Sequence, residues 1–131
     1  MEKGIVYIGD NVFESLLAIS MEEQRQGLMN IAEPVPNMAF VYSYPSINHF
    51  WMANTPSQLD IVFCNDGMVS EICYGEPYST KMIGGDMPSN LVVELPYGTV
   101  KTAGIIVGQS VGLVKPTIDE LRKIIASKYW V

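Results

Sequence analysis

Little in this sequence offers itself for metal or nucleophile chemistry. It has one histidine, His49, and two cysteines, Cys64 and Cys73, among 131 residues. A metal site needs three or four donors converging at about 2.0–2.3 Å. One imidazole and two thiols at unfamiliar spacing do not supply that set, so neither a metal nor a cofactor is expected. Charge is scarce too: charged residues make up 17% of the chain, and fourteen acids outnumber eight bases for a net charge of -6. That balance repels phosphate backbones and anionic headgroups unless a local basic patch reverses it. Lys115, Arg122, Lys123 and Lys128 are the nearest to such a patch, but Asp119 and Glu120 sit among them. They read as a solvated helix face, and no nucleic-acid partner is expected. Long apolar runs are missing as well. No segment approaches about 18 uninterrupted apolar residues, so no membrane span is expected. The start, "MEKGIVYIGDNVFESLLAI", is interrupted by Gly4, Gly9, Asp10 and Asn11 and does not read as a signal peptide. The expectation is a soluble cytoplasmic protein, in whose reducing surroundings Cys64 and Cys73 stay free thiols.

What is present is hydrophobicity, 48% of the residues, delivered in short bursts. "GIVYI", "FESLLAI", "MAFVYSY", "HFWMA", "LDIVFC", "MVSEIC", "LVVEL", "IIVG" and "VGLV" are separated by glycines, prolines and other turn formers. Such spacing predicts a mainly β sandwich or barrel. The length fits a single domain spanning residues 1–131. The strongest local signal is "LDIVFC-NDG-MVSEIC", in which Asp66-Gly67 can supply the positive φ of a tight hairpin turn. Within its first strand Leu59, Ile61 and Phe63 face one way and form a core face, while Asp60, Val62 and Cys64 face the other. Asp60 is therefore expected off the core face. Two helices interrupt the β pattern. Ser20 and Glu23 stand in capping-box spacing ahead of Gly27, predicting a short connector helix. Thr117 and Glu120 repeat that spacing before an apolar stripe of Ile118, Leu121, Ile124 and Ile125, predicting an amphipathic C-terminal helix over 117–129. Residues 74–90, rich in Gly, Pro and Ser, predict a long surface loop.

Few residues carry chemistry. His49 could act as a base near neutral pH, but no nucleophile elbow accompanies it. The scattered methionines suit gap filling in a core better than soft-metal ligation. Asp60 in "LDIVF" and Glu94 in "LVVEL" are each a single acid inside an apolar strand. Facing a common interior, they would be desolvated and could divide acid and base roles. Facing water, or held by structural hydrogen bonds, they would do neither, and alternation leaves both readings open. Thr55 is extended because it precedes Pro56, and Asn54 can close a turn on its own main chain. Trp51 and Asn54 together also offer an apolar platform with a fixed polar group, which is what a small-ligand pocket uses.

The segments "EEQRQGLMN", "MAFVY", "HFWMANTPSQLDIVFCNDGMV", "EPYS" and "LVVELPYGTVKTAGIIVGQSV", in this order, resemble the family catalogued as domain of unknown function 192. The resemblance covers roughly residues 12–114. It implies a compact, jelly-roll-like β-domain and assigns no biochemical role. Its motif falls on Phe50, Trp51, Met52, Asn54, Thr55, Leu59 and Asp60, with Gly27, Leu28, Met29 and Glu94 in the flanking motifs. Ala53 departs from it, since many relatives carry lysine there, and many relatives also look exported.

The leading expectation is therefore a non-catalytic β-domain that binds a small polar ligand or a peptide end near residues 49–60. Trp51, Asn54, Thr55, Asp60 and Glu94 are the candidate contacts. One alternative is an acid/base hydrolase using Asp60 and Glu94, with His49 as a further catalytic candidate. Another is a structural or protein-interaction module that engages a partner through the C-terminal helix or the 74–90 loop.

Overall fold

The computed structural model describes residues 1–115. The expected C-terminal helix over 117–129 lies outside the described residues. Within them the order is β1 (Glu2–Ile8), β2 (Asn11–Ala18), α1 (Met21–Gln26), β3 (Met38–Ser46), β4 (Leu59–Asn65), β5 (Met68–Gly75), β6 (Ser89–Pro96), α2 (Thr99–Ala103) and β7 (Val111–Val114). The mainly β expectation holds. The seven strands form one sheet in the order β5-β4-β6-β3-β2-β1-β7, antiparallel throughout except for the parallel pair β2–β3.

The sheet curls until its two edges meet. Val69 N–H donates to Gln109 O (2.9 Å), Gly108 N–H to Val69 O (2.8 Å) and Val111 N–H to Gly67 O (2.8 Å), joining the start of β5 to the segment leading into β7. Curling covers part of an otherwise exposed edge. It also creates an inner core in which residues from distant strands touch: Val6, Leu17, Ala39, Val62, Val69 and Val93 share one cluster, with Val100 of α2 and Ile105 packed against it.

The outer face of the middle strands is buried as well. Met38 and Phe40 of β3, Leu59, Ile61 and Phe63 of β4, and Val92 of β6 pack under Leu28, Val35 and Met52 from the connecting segments. β4 is consequently buried on both faces from Leu59 to Cys64, and Asp60 lies in the inner core rather than off a core face. The period-2 pattern was compatible with one wet face, but a strand covered on both sides needs apolar residues at nearly every position.

Local signals served well where they were strong. Asp66 (φ 49°) and Gly67 (φ 78°) make the expected turn of the β4–β5 hairpin. Cys64 and Cys73 are free; Cys73 sits opposite Ile61 and points to the outer face, while Cys64 packs in the inner core. Two short apolar runs are not strands. "HFWMA" forms only an isolated bridge, Phe50 to Ile83, and "IIVG" lies in the turn before β7. Phe50, Met52 and Ile105 pack against the two cores, whereas Trp51, Ile106 and Val107 are exposed.

Candidate functional site

The outer face is covered by three pieces of chain, each held by identifiable bonds. The first is α1, with the capping box its sequence announces. Glu23 N–H donates to Ser20 Oγ (3.1 Å), and Glu23 Oε1 accepts from the backbone N–H of Ser20 (3.0 Å) and Ile19 (3.1 Å). These bonds hold the Glu23 carboxyl below the usual range. Gln24 clamps the helix to the sheet, its amide Nε2 donating to Ala18 O (3.1 Å) and Val41 O (2.9 Å). At Gly27 (φ 48°) the chain turns down against Phe40, where a Cβ would lie 3.3 Å from the ring. That close approach and the left-handed backbone together call for glycine.

The second and third pieces are residues 49–58 and 76–88, which bind each other. Phe50 and Ile83 exchange backbone bonds (2.9 and 2.8 Å), Met52 N–H donates to Ser79 O (2.9 Å) and Tyr78 N–H to Thr55 O (3.0 Å). The turn between Met52 and Thr55 uses Asn54 in a left-handed conformation (φ 55°), and Asn30 N–H donates to Asn54 O (2.8 Å), tying it to the segment after α1. Phe50 stands edge-on between Phe40 (centroids 4.9 Å apart) and Phe63 (5.6 Å). Such edge-to-face contacts add to simple burial and fix the ring's orientation.

Between these pieces and the sheet is a cavity of about 210 Å³. Gln24, Tyr42, Phe50, Trp51, Thr55 and Glu94 line it. Glu94 is 4% exposed. Burial, with no offsetting hydrogen bond, pushes its carboxyl up to about 8, so at neutral pH the acid is mostly uncharged. Burial, with Glu94 nearby, likewise pushes the Tyr42 hydroxyl up to about 12. Thr55 is buried and donates its hydroxyl to Ala53 O (3.1 Å). Trp51 is 54% exposed and forms the outer wall.

The remaining sequence candidates lie elsewhere or at the rim. Ile61, not Asp60, is the residue of β4 opposite Glu94. Asp60 and Glu94 therefore project from opposite faces of the sheet, and the shared acid/base site expected of a hydrolase is not formed. Asp60 is fully buried; its Oδ2 accepts from Val100 N–H (2.8 Å), while Oδ1 has no partner among the described residues. Val100 lies in the first turn of α2, whose N-cap is Gly98 and has no side chain to offer. Asp60 thus supplies from β4 the capping oxygen that the helix lacks. Asn54 is exposed at its turn and does not line the cavity. His49 reaches the wall but is exposed, with Nδ1 3.2 Å from Gly84 O. Gln24 and Tyr42 escaped the sequence reading: a glutamine on a short helix and a tyrosine in a strand run carry no local mark of a site.

Two other depressions, of about 560 and 490 Å³, are lined by residues including Pro34, Gln58 and Tyr97 and by Asn11, Thr99 and Thr102. Neither contains a buried titratable side chain. Among the described residues no group of histidine, cysteine and acidic side chains is placed to hold a metal ion, and no helix is long and apolar enough to cross a membrane.

Fold and site together define a class: a curled β-sheet with a second core on its outer face and a buried acid, Glu94, on the wall of a cavity beneath the covering segments. Domain of unknown function 192, described as Uncharacterized ACR, matches residues 5–113, and the chain belongs to that family. No curated protein matches it. A protein of unknown function from Novosphingobium aromaticivorans is similar over 82% of this chain and 83% of its own, at 32% identity and a TM-score of 0.78. A Sinorhizobium meliloti protein described as a candidate transcription regulator is similar over 84% of this chain and 92% of its own, at 28% identity and a TM-score of 0.76.

Proposed function

We propose that the protein is a non-catalytic binding domain that holds a small polar ligand, or the end of a peptide, in the cavity over Glu94. The observation that carries this reading is Glu94 itself. Its carboxyl is desolvated on a wall of the cavity and accepts no hydrogen bond from the described residues, so a ligand that enters can supply the partner. The aromatic lining with few fixed polar groups is the usual composition of a ligand site. Separation of Asp60 from Glu94 removes the paired acids on which a hydrolytic reading depended. If the regulator description of the Sinorhizobium relative extends to this chain, the net charge of -6 favours sensing a ligand over contacting nucleic acid.

A thermal-shift panel of sugars, nucleotides, amino acids and amines tests the reading. A ligand at a hundred times its dissociation constant adds about 2.7 kcal/mol of stability. The gain should shrink in Trp51→Ala and Tyr42→Leu, which alter the outer and inner walls. A panel without a single shift, or a shift that both variants leave intact, would overturn it.

A further inference from the structure

The chemical class of the ligand follows from which hydrogen-bonding capacity the cavity has left. Gln24 spends both amide hydrogens on Ala18 O and Val41 O, leaving its carbonyl oxygen as an acceptor. Thr55 spends its hydroxyl hydrogen on Ala53 O, leaving only lone pairs. Glu94 receives no hydrogen bond and no salt bridge from the described residues. Three side chains around one cavity therefore offer acceptors. Donors on the lining include the Tyr42 hydroxyl, the Trp51 indole N–H and the groups of Arg25 and His49, which are exposed at the rim, so a donor-rich ligand group suits the Glu94 side. An ammonium is such a group, with three donors and no acceptor in its primary form. The walls agree in composition: Tyr42, Phe50 and Trp51 line the cavity, and aromatic faces attract cations.

We infer that the cavity takes the ammonium end of a small organic monoamine, primary or methylated, with the Glu94 carboxylate as its counter-ion and Tyr42, Phe50 and Trp51 as its aromatic wall. The inference rests on the binding function proposed above. Size limits the ligand, since about 210 Å³ is smaller than the roughly 300–1,000 Å³ of sites for drug-sized molecules. Arg25, exposed on the same lining, adds a positive charge at the rim and disfavours a ligand with a second positive charge. Entry of the cation stabilises ionised Glu94, so the acid releases its proton to solvent as the ammonium binds. The amine keeps its charge throughout, because its own pKa lies near 10.

The test is titration calorimetry on the protein with propylammonium, choline and choline's uncharged carbon isostere, dimethylbutanol. One or both cations should bind and the isostere should not. Affinity should rise about tenfold per pH unit between about pH 6 and 7.5 and level off above about 8. Heats measured near pH 7 in phosphate and in Tris should differ by the release of about one proton. Glu94→Gln, isosteric and uncharged, should abolish binding of the cations. The inference is overturned if the isostere binds as well as choline, if affinity is flat with pH in the unmutated protein, or if Glu94→Gln binds the cations undiminished. Stabilisation by a sugar or other neutral compound alone sinks the ammonium assignment but leaves the binding function standing. Silence across every class sinks both.

Discussion

Asp60 and Glu94 occupy neighbouring strands of the same sheet, each flanked by apolar residues, and both are buried. On the inner face, Asp60 meets the open N-terminus of α2 and accepts the Val100 N–H. On the outer face, Glu94 meets a cavity and accepts nothing from the described residues. A carboxyl with an oxygen committed to a helix N–H belongs to the fold, whereas one that lines a cavity without a donor is held neutral by desolvation and is available to something that enters. The two acids look alike in sequence and differ entirely in what surrounds them.

The largest expected effect breaks the comparison on the Glu94 side. Its folded-state value of about 8 stands above the ordinary 4.5, so between those values the folded protein keeps a proton that the unfolded chain releases. Stability therefore falls as pH rises from about 4.5 to about 8, by up to roughly 1.4 kcal/mol per unit, and levels off above that. Urea unfolding at pH 5, 6.5 and 8 should show this decline, and Glu94→Gln should flatten it. A decline of the same slope in the variant would place its origin elsewhere. Asp60→Ala comes next, at about 2 kcal/mol, because it leaves the Val100 N–H buried without an acceptor. Asp60→Asn, which retains an oxygen, should lose less, and neither change should alter binding at the outer cavity.

Smaller effects sharpen the contrast. Ser20→Ala removes half of the capping box beside the cavity and should lower stability by about 1 kcal/mol in chemical denaturation. Trp51→Ala should leave stability within about 0.5 kcal/mol, since the side chain is half exposed. It should nevertheless weaken cation binding by about 0.5–1 kcal/mol, the contribution of an exposed cation–π contact. Equal losses of stability and binding in that variant would mean the tryptophan supports the wall rather than the ligand.

Much of the scaffold was legible residue by residue. The β4–β5 hairpin could be read from Asp66-Gly67 between two apolar runs, and α1 from Ser20 and Glu23, because turns and caps depend on residues within a few positions of each other. Phe50, Trp51 and Met52 stand out in the sequence as a distinctive group, yet the apolar run "HFWMA" predicts a strand that does not form. Its real pairing is a single bridge to Ile83, more than thirty positions away. The helix α2 carried no side-chain cap of its own to announce it, since its capping oxygen comes from Asp60, forty positions earlier.

By itself, then, the sequence determined the β-rich class, the hairpin, the connector helix and family membership, all of which rest on local turn chemistry or on motifs read in order. The tertiary structure alone decided what the two acids are. A strand's alternation shows which residues share a face, but the β4–β6 register that sets Ile61 opposite Glu94 depends on packing between segments thirty residues apart. So do the identity of each face and the segment that covers it. Those contacts made Asp60 a helix cap and placed Glu94 on the wall of a cavity beside Tyr42, Phe50 and Trp51.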